Sequence, residues 1–313
     1  MHLEPTARLR VRPIHTVAAA FTVLAAPAFF VVELPALGLA LLVAGLLLAW
    51  FADHAEGGFS ARPSLLRDLS LIAIGLGIVR LIPLAAELDD RAMIRFTLAL
   101  GGAVAVPYLI SRFVYRDRAT GFPWRGRHAV GHGTEASRSE ARGGARGGGP
   151  RSQATGDGTR WGRLHWTWLA AVLVLGWAIL PFYFISSGVY RNWPVVDSPD
   201  LILRLFIGVG AVGIWDELFF ICTVFAVLLR HFPYWLANLL QAVVFVSFLW
   251  ELGYRAWGPL LTVPFALMQG WIFLRTRSLG YVVTVHLLFD AIVFAVLVHA
   301  HNPALFDVFP TAP

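Results

Sequence analysis

Cysteine, lysine and charged residues in general are what this sequence lacks. Its single cysteine, Cys222, excludes an intramolecular disulfide framework and a zinc site built from several thiolates. Lysine is absent, so the basic side is all arginine, which we interpret as compositional bias. Only 14% of the 313 residues are charged and 58% are hydrophobic, whereas a soluble domain is about 25% charged. A water-soluble globular protein is therefore excluded.

Long apolar runs recur along the chain and predict an all-α, polytopic membrane protein with about nine transmembrane helices. A helix needs about 20 apolar residues to cross the hydrocarbon core of a bilayer. The predicted spans cover residues 14–33, 35–52, 67–86, 92–111, 164–186, 202–229, 234–252, 258–274 and 279–299. The first span is longer than the apolar region of a signal peptide, and no small-residue cleavage site in it is followed by a hydrophilic mature chain, so we expect it to stay in the membrane.

The loops between the spans differ in charge, and this predicts the topology. Arginines precede span one and follow spans two, six and eight, while the loops after spans three and five are acidic. Residues 112–163, after span four, hold eleven arginines against four acids. Because cytoplasmic loops carry the excess of arginine, we expect an integral protein of the bacterial cytoplasmic membrane, with its N-terminus inside and its C-terminus outside. The net charge of +6 then reflects topology, and nucleic acid is not an expected partner.

The arginine- and glycine-rich loop divides the chain into three predicted parts. Residues 1–111 form a four-span bundle of unknown role, residues 112–163 a disordered cytoplasmic linker, and residues 164–313 a five-span unit. The linker composition cannot bury enough apolar surface to fold, and its arginines suit contact with anionic lipid headgroups. His128 and His132 have the i, i+4 spacing of a metal-ligand pair on a helix, but neighbouring glycines argue against that helix.

Five ionisable residues within the later spans are the most informative feature of the sequence. Span six contains Asp216 and Glu217, span seven ends with Glu251, and span nine contains His286 and Asp290. A charged group at a helix centre costs roughly 2.5–3.5 kcal/mol on insertion scales, so such groups indicate a functional site. A buried carboxylate is a plausible general base for water, and a neighbouring imidazole can orient that water. The set therefore favours hydrolysis inside the membrane, with Glu217, Glu251, His286 and Asp290 lining one cavity.

Simpler interpretations remain for single members of this set. A buried histidine can bond across helices, Glu251 can reach the membrane surface, and Asp216 should point about 100° away from Glu217 on an α-helix. A thiol mechanism is disfavoured because Cys222 has no adjacent base. No cofactor is expected, and zinc is possible but disfavoured, because His286 is the one histidine inside a span of the C-terminal unit.

Residues 200–299 resemble the CPBP family of intramembrane proteases (CAAX protease and bacteriocin-processing, or Abi). Asp216-Glu217-Leu-Phe-Phe-Ile221 resembles the motif Glu-Glu-x-x-x-Arg, and His286-Leu-Leu-Phe-Asp290 resembles His-x-x-x-Asn/Asp. The segment from Gln269 to Leu279 resembles the one that leads into the second of these motifs. The order and spacing of the motifs are preserved.

The resemblance implies roles for the site residues and also shows two departures. Glu217 and His286 inherit activation of the attacking water, and Asp290 inherits the polar position that orients the site. Ile221 replaces the motif arginine, and Leu249 stands where the family's Phe-x-x-x-His motif, aligned on Phe245, has histidine. Glu251, two residues further on, is the candidate to take over that polar role.

Three functions are compatible with these features. The first is an intramembrane endopeptidase of glutamic type that cleaves a hydrophobic or lipidated peptide or protein with a water activated by Glu217. The second is a noncatalytic scaffold or immunity-type protein of the same fold, which the two departures favour. The third is a proton-coupled transporter with Glu217, His286 and Asp290 as a relay, although no inverted repeat is visible in the sequence.

The topology predicts which side of the membrane residue 145 occupies. In a Cys222→Ala background, we expect an Ala145→Cys variant to resist an impermeant maleimide in intact cells and to react after permeabilisation, because residue 145 lies in the cytoplasmic loop. Labelling in intact cells would contradict the predicted orientation.

Overall fold

The computed structural model describes residues 12–55, 63–84, 86–124, 162–305, 309 and 311. These residues fold into nine long helices, one for each predicted span, and contain no strand. The helices are α1 (Pro13–Phe30), α2 (Pro35–Ala55), α3 (Leu65–Val79), α4 (Asp90–Val114), α5 (Arg163–Ser186), α6 (Pro199–Leu228), α7 (Tyr234–Leu252), α8 (Pro259–Thr276) and α9 (Leu279–His301). A 3₁₀ turn, Val189–Asn192, follows α5.

Seven of these helices are long and apolar enough to cross a membrane, so the protein is a polytopic helical membrane protein. The two helices outside that set are α3 and α8. The predicted span over residues 67–86 is too long, because α3 has 15 residues and ends at Val79, four residues before Pro83. Proline disfavours the helical conformation in the residue before it and lacks the amide donor of a helix interior. At 1.5 Å per residue, α3 is roughly 22 Å long.

Local sequence accounts for where several helices begin. Ser64, Asp89, Ser198 and Ser278 precede α3, α4, α6 and α9, and each side chain accepts a hydrogen bond from a backbone amide of the first helical turn. Such caps satisfy donors that have no partner within the helix. Proline begins α1, α2, α6 and α8, where its missing amide hydrogen has no structural cost.

The first four helices and the last five share one hydrophobic core. The rings of Phe30 in α1 and Phe248 in α7 meet edge to face, with centroids 6.4 Å apart. Trp215 in α6 donates a hydrogen bond of 2.6 Å from Nε1 to the backbone oxygen of Leu100 in α4. Phe219 in α6 fills the space beside Gly75 in α3. The predicted N-terminal bundle therefore packs directly against the predicted C-terminal unit.

The start of the predicted linker is ordered, which corrects the prediction of disorder for residues 112–124. A π-helical turn, Ile110–Val114, ends α4. Backbone oxygens of Pro123 and Trp124 then accept hydrogen bonds from the amides of Leu279 and Gly280 at the start of α9. Aromatic residues in this stretch, such as Phe122, pack against the core and supply apolar contact there. Residues 125–161, including His128 and His132, lie outside the described residues.

A buried ionic cluster joins the two halves at the end of the bundle that carries most arginines. Arg230, after α6, bonds to Asp68 of α3 at 2.8 Å and to Asp117 at 2.8 Å. His231 Nε2 lies 2.7 Å from the second oxygen of Asp68. Both aspartates are almost fully buried. Because an unpaired buried charge costs several kcal/mol, each half depends on the other at this point.

Loss of the Arg230 side-chain charge should therefore destabilise the whole fold. Arg230→Gln leaves Asp117 without its cationic partner, and we expect a loss of about 3 kcal/mol in the free energy of unfolding, measured by denaturation in detergent. Arg275→Gln is the matched control, because this arginine contacts the exposed ring of Trp271 and should cost less than about 1 kcal/mol. Equal effects of the two substitutions would show that the cluster does not hold the halves together.

Candidate active site

The middle of α6 changes its helical geometry where its two acids occur. The helix is α-helical over Pro199–Asp216 and becomes a π-helix over Glu217–Phe225 before a last α-helical turn, Ala226–Leu228. π-Helical segments interrupt α-helices mostly at functional sites. On a regular α-helix, Asp216 and Glu217 would point about 100° apart. Both side chains nevertheless contact the same imidazole, which the assumption of a uniform α-helix did not predict.

His286, on α9, is the centre of the site. Its Nδ1 atom donates a hydrogen bond to Glu217 Oε1 across 2.6 Å. On the other side of the ring, Nε2 lies 3.5 Å from Asp216 Oδ2 and 3.8 Å from Asp290 Oδ1. All four side chains are buried, with at most 8% of any of these residues exposed. The structure therefore brings together four of the five predicted site residues.

Gln269, on α8, is a fifth member of the cluster that the sequence analysis did not single out as a site residue. Its side-chain nitrogen donates a hydrogen bond of 2.7 Å to Glu217 Oε1 and a longer one of 3.3 Å to the backbone oxygen of Val282. Glu217 Oε1 thus accepts from both His286 and Gln269. Two donors on one oxygen fix the orientation of the carboxyl group.

Three carboxylate oxygens of the cluster have no hydrogen-bond partner among the described residues. They are Asp216 Oδ1, Glu217 Oε2 and Asp290 Oδ2, and each is buried. Buried polar atoms are normally hydrogen-bonded to protein or to water. Gly213 of α6 allows Asp290 to approach closely, because a Cβ atom on that residue would overlap Asp290 Oδ2. The site therefore presents acceptors that suit a bound water molecule.

The cluster opens into an apolar cavity of about 360 Å³ that extends between α4 and α6. Asp216, His286 and Asp290 lie in its wall. Glu217, which is bonded to His286, does not line the cavity, and this corrects the prediction that it would. The volume is within the range of ligand-binding sites, roughly 300–1,000 Å³. Phe265 packs edge to face on the His286 ring, with centroids 5.1 Å apart. The aromatic contact and the hydrogen bonds together hold the imidazole in one orientation.

Glu251 does not belong to this site, which corrects the prediction that it lines the same cavity. Its Oε1 atom accepts a hydrogen bond of 3.5 Å from the backbone amide of Leu84, and it is absent from the wall of the cavity. Leu249 and Leu252 of the same helix do line the cavity. Because successive residues of an α-helix are about 100° apart, Glu251 points away from the face that these leucines share.

The two departures from the family motifs have different surroundings. Leu249, at the position of the motif histidine, faces the same cavity as His286 and Asp290. Ile221, at the position of the motif arginine, is 2% exposed and packs in the hydrophobic core. Cys222 is fully buried next to Leu279 and Val283. The first departure therefore removes a polar group from the cavity, while the second is absorbed by the core.

Tyr254 is a further polar residue of the cavity wall that the sequence analysis missed. It follows Gly253, whose φ of +130° ends α7 and is accessible to glycine alone at little cost. No described residue accepts a hydrogen bond from its hydroxyl group. Burial raises the pKa of the Tyr254 phenol well above its usual value, and the carboxylates of Asp290 and Asp216 add to this effect. The hydroxyl therefore stays protonated and can donate.

Among the residues that the structure describes, no group of three or more His, Cys, Asp or Glu side chains has a geometry that could hold a metal ion. The cluster contains a single imidazole, and its Nδ1 atom is bonded to Glu217. Catalytic zinc sites commonly use two or three nitrogen ligands together with a carboxylate.

Comparison with known proteins supports the resemblance seen in the sequence. Residues 198–292 match the family model described as Rce1-like, type II CAAX prenyl endopeptidase. The C-terminal helices match a CAAX protease family. The matched CAAX protease-like region begins just before α6 and ends within α9, so it includes Asp216, Glu217, Gln269, His286 and Asp290. No curated protein and no solved structure matches the chain.

The match has a limited extent. It covers about a third of the chain and leaves α1 to α5 outside. Yet α4, from the unmatched part, forms one wall of the cavity. The CAAX protease-like region therefore supplies the ionisable groups, and α4 of the N-terminal helices supplies part of the wall of the cavity beside them.

Proposed function

We propose that this protein is an intramembrane endopeptidase of CAAX-protease type, which hydrolyses a peptide bond of a hydrophobic or lipidated protein with a water molecule activated by Glu217. The observation that carries the proposal is the arrangement of the Glu217 carboxyl group. His286 and Gln269 hold one of its oxygens, and the other is buried without a protein partner. A general base in this arrangement is positioned before the substrate binds.

The proposed reaction begins with a water molecule hydrogen-bonded to Glu217 Oε2. The carboxylate takes a proton from this water while the water oxygen attacks the carbonyl carbon of the scissile peptide bond. The tetrahedral intermediate then collapses, the C–N bond breaks, and the proton passes from Glu217 to the departing amine. A new carboxylate and a new amine are the products, so atoms and charge balance without a further reactant.

Gln269 and Asp290 act as positioning residues in this scheme. Gln269 fixes the Glu217 carboxyl group directly through its 2.7 Å hydrogen bond. Asp290 and Asp216 lie on the Nε2 side of His286, where their negative charge stabilises positive charge on the ring. No metal ion is required by this scheme, and a chelator should not inhibit the reaction.

Tyr254 supplies the hydrogen-bond donor that Leu249 cannot. An oxyanion develops on the substrate in the transition state, and a donor held in a dry site stabilises it strongly. The Tyr254 hydroxyl lines the same cavity as Asp290 and His286, and no described residue accepts its hydrogen bond. We assign the role of oxyanion donor to Tyr254, which lies one helical turn and a glycine beyond Leu249, the position where the family motif has histidine.

A noncatalytic scaffold is the second candidate function. Leu249 in the cavity wall is the observation that favours it, because an apolar residue occupies a position that is polar in the family motif. The two functions predict different results for substitutions in the cluster: they change the rate of peptide cleavage if the protein is a peptidase, and a scaffold has no such rate.

Substitution of Glu217 tests the choice between them. Glu217→Gln keeps the shape of the side chain but removes its basicity, so we expect cleavage of a membrane-peptide library by the purified protein to fall at least about 100-fold. His286→Ala should be comparably damaging, and Asp290→Asn should be milder. Glu251→Gln is the matched control, since that carboxylate lies outside the cavity, and it should retain wild-type activity. Wild-type protein without turnover, and a cellular phenotype that survives Glu217→Gln, would favour the scaffold.

Removal of one hydroxyl group tests the role of Tyr254. We expect Tyr254→Phe to lower kcat about 100-fold with little change in KM, the effect typical of a lost oxyanion donor. Tyr234→Phe is the control, because that hydroxyl bonds to Asn238 and is not in the cavity wall. Equal kcat values for both variants and the wild type would exclude the assignment.

A further inference from the structure

The cavity reaches the surface of the bundle sideways, through an opening between α4 and α6. Thr97 and Gly101 of α4 line the cavity and are also solvent-accessible at its edge. Ile207 and Ala211 of α6 also line the cavity and are solvent-accessible, on the opposite edge of the opening. Because both helices are membrane spans, this surface faces lipid. The interior is therefore continuous with the hydrocarbon of the bilayer.

Two sets of hydrogen bonds frame the opening. At the depth of the site, Trp215 donates to the backbone oxygen of Leu100 across 2.6 Å. At the other end, Arg204 of α6 bonds to Asp90 at the start of α4 and donates to the backbone oxygen of Leu88. Between these contacts, residues of both helices line the cavity. The opening is thus a bounded window and not a general separation of the helices.

The approach from the opposite end of the bundle is closed in the part of the chain that the structure describes. Cys222, Leu279 and Val283 pack together there against Phe122. The backbone of Pro123 and Trp124 is hydrogen-bonded to the start of α9. That end carries the arginines of the predicted cytoplasmic side, whereas the window extends toward Asp90 and Arg204. By the positive-inside rule, the window lies in the extracytoplasmic half of the membrane.

The depth of the site restricts what can use this window. Asp216 lies twelve residues beyond Arg204 on the same helix, a distance of about 18 Å at 1.5 Å per residue. A peptide held at the headgroups by a lipid anchor would have to carry its polar backbone through that distance of apolar cavity wall, which is costly for unsatisfied amide groups. A polypeptide that already crosses the bilayer has peptide bonds at the required depth.

We propose that the substrate is a membrane-spanning polypeptide segment, which enters sideways through the window between α4 and α6 and is cleaved within the bilayer. The inference rests on the proposed peptidase function for its chemical step, but the binding of the segment does not depend on catalysis. The apolar window receives the side chains of the segment. Tyr254 and the carboxylates at the floor of the cavity meet its backbone where the segment unwinds.

Two glycines allow the window to be blocked without disturbing the fold. Added Cβ atoms on Gly208 of α6 and Gly101 of α4 would meet open space, and both residues line the cavity. A Cβ atom on Gly210 would also meet open space, but Gly210 does not line the cavity. Gly208→Phe and Gly101→Phe therefore fill the window from opposite edges, and Gly210→Phe is the matched control on the same helix.

The experiment uses the full chain in phosphatidylcholine liposomes with a single-span leucine- and alanine-rich peptide that carries a benzophenone group. In the Glu217→Gln background, we expect photo-crosslinks from the peptide to the residues of the window. Crosslinking should fall at least tenfold in Gly208→Phe and in Gly101→Phe, and it should stay within twofold in Gly210→Phe. A surface peptide of polar sequence held by a palmitoyl chain should label the window at less than a tenth of this level.

The outcomes distinguish the entry of a membrane-spanning segment through the window from the proposed peptidase function. Equal crosslinking of the Gly208→Phe and Gly210→Phe variants, or efficient labelling by the palmitoylated peptide, would overturn the entry of a membrane-spanning segment. If the Gly208→Phe and Gly101→Phe variants cleave the peptide as well as the wild-type protein does, the entry of a membrane-spanning segment through the window is overturned, while the peptidase function stays intact. Crosslinking that follows the expected pattern, together with no cleavage of any peptide by the wild type, would overturn the peptidase function and leave the binding window.

Discussion

The hydrogen bond between Glu217 and His286 is the interaction on which the site depends. A carboxylate buried in a protein interior without a partner would cost several kcal/mol. The bond of 2.6 Å and a second donor from Gln269 offset that cost for one oxygen. Helices α6, α8 and α9 must therefore meet at this point. The π-helical part of α6 lies at this point of contact, and the small size of Gly213 allows α9 to approach α6 there.

This constraint also explains why the cluster is both stable and reactive. The oxygens that the protein satisfies hold the geometry, and the oxygens that it leaves without partners are the ones that can take part in chemistry. Buried polar networks of this kind fix a unique arrangement when their members are satisfied. In the proposed mechanism, water and substrate complete the network, so binding and proton transfer involve the same atoms.

The N-terminal helices are more than an appendage to the CAAX protease-like region. They share its hydrophobic core, they are joined to it by the buried cluster around Arg230, and α4 forms a wall of the cavity. A region that lies outside the family match thus borders the space in which a substrate would bind.

The sequence by itself determined the membrane class, the position of nearly every helix and the identity of four residues at the site. Hydrophobic length and buried charge carry that information, because both are properties of a short stretch of chain. Only the tertiary structure decided that Asp216 joins the cluster and that Glu251 does not. The first depends on the His286 ring, which presents Nδ1 to Glu217 and Nε2 to Asp216, and the second on which face of α7 meets the cavity. Gln269 and Tyr254 were also beyond prediction, because a neutral polar residue becomes part of a site only through what packs beside it.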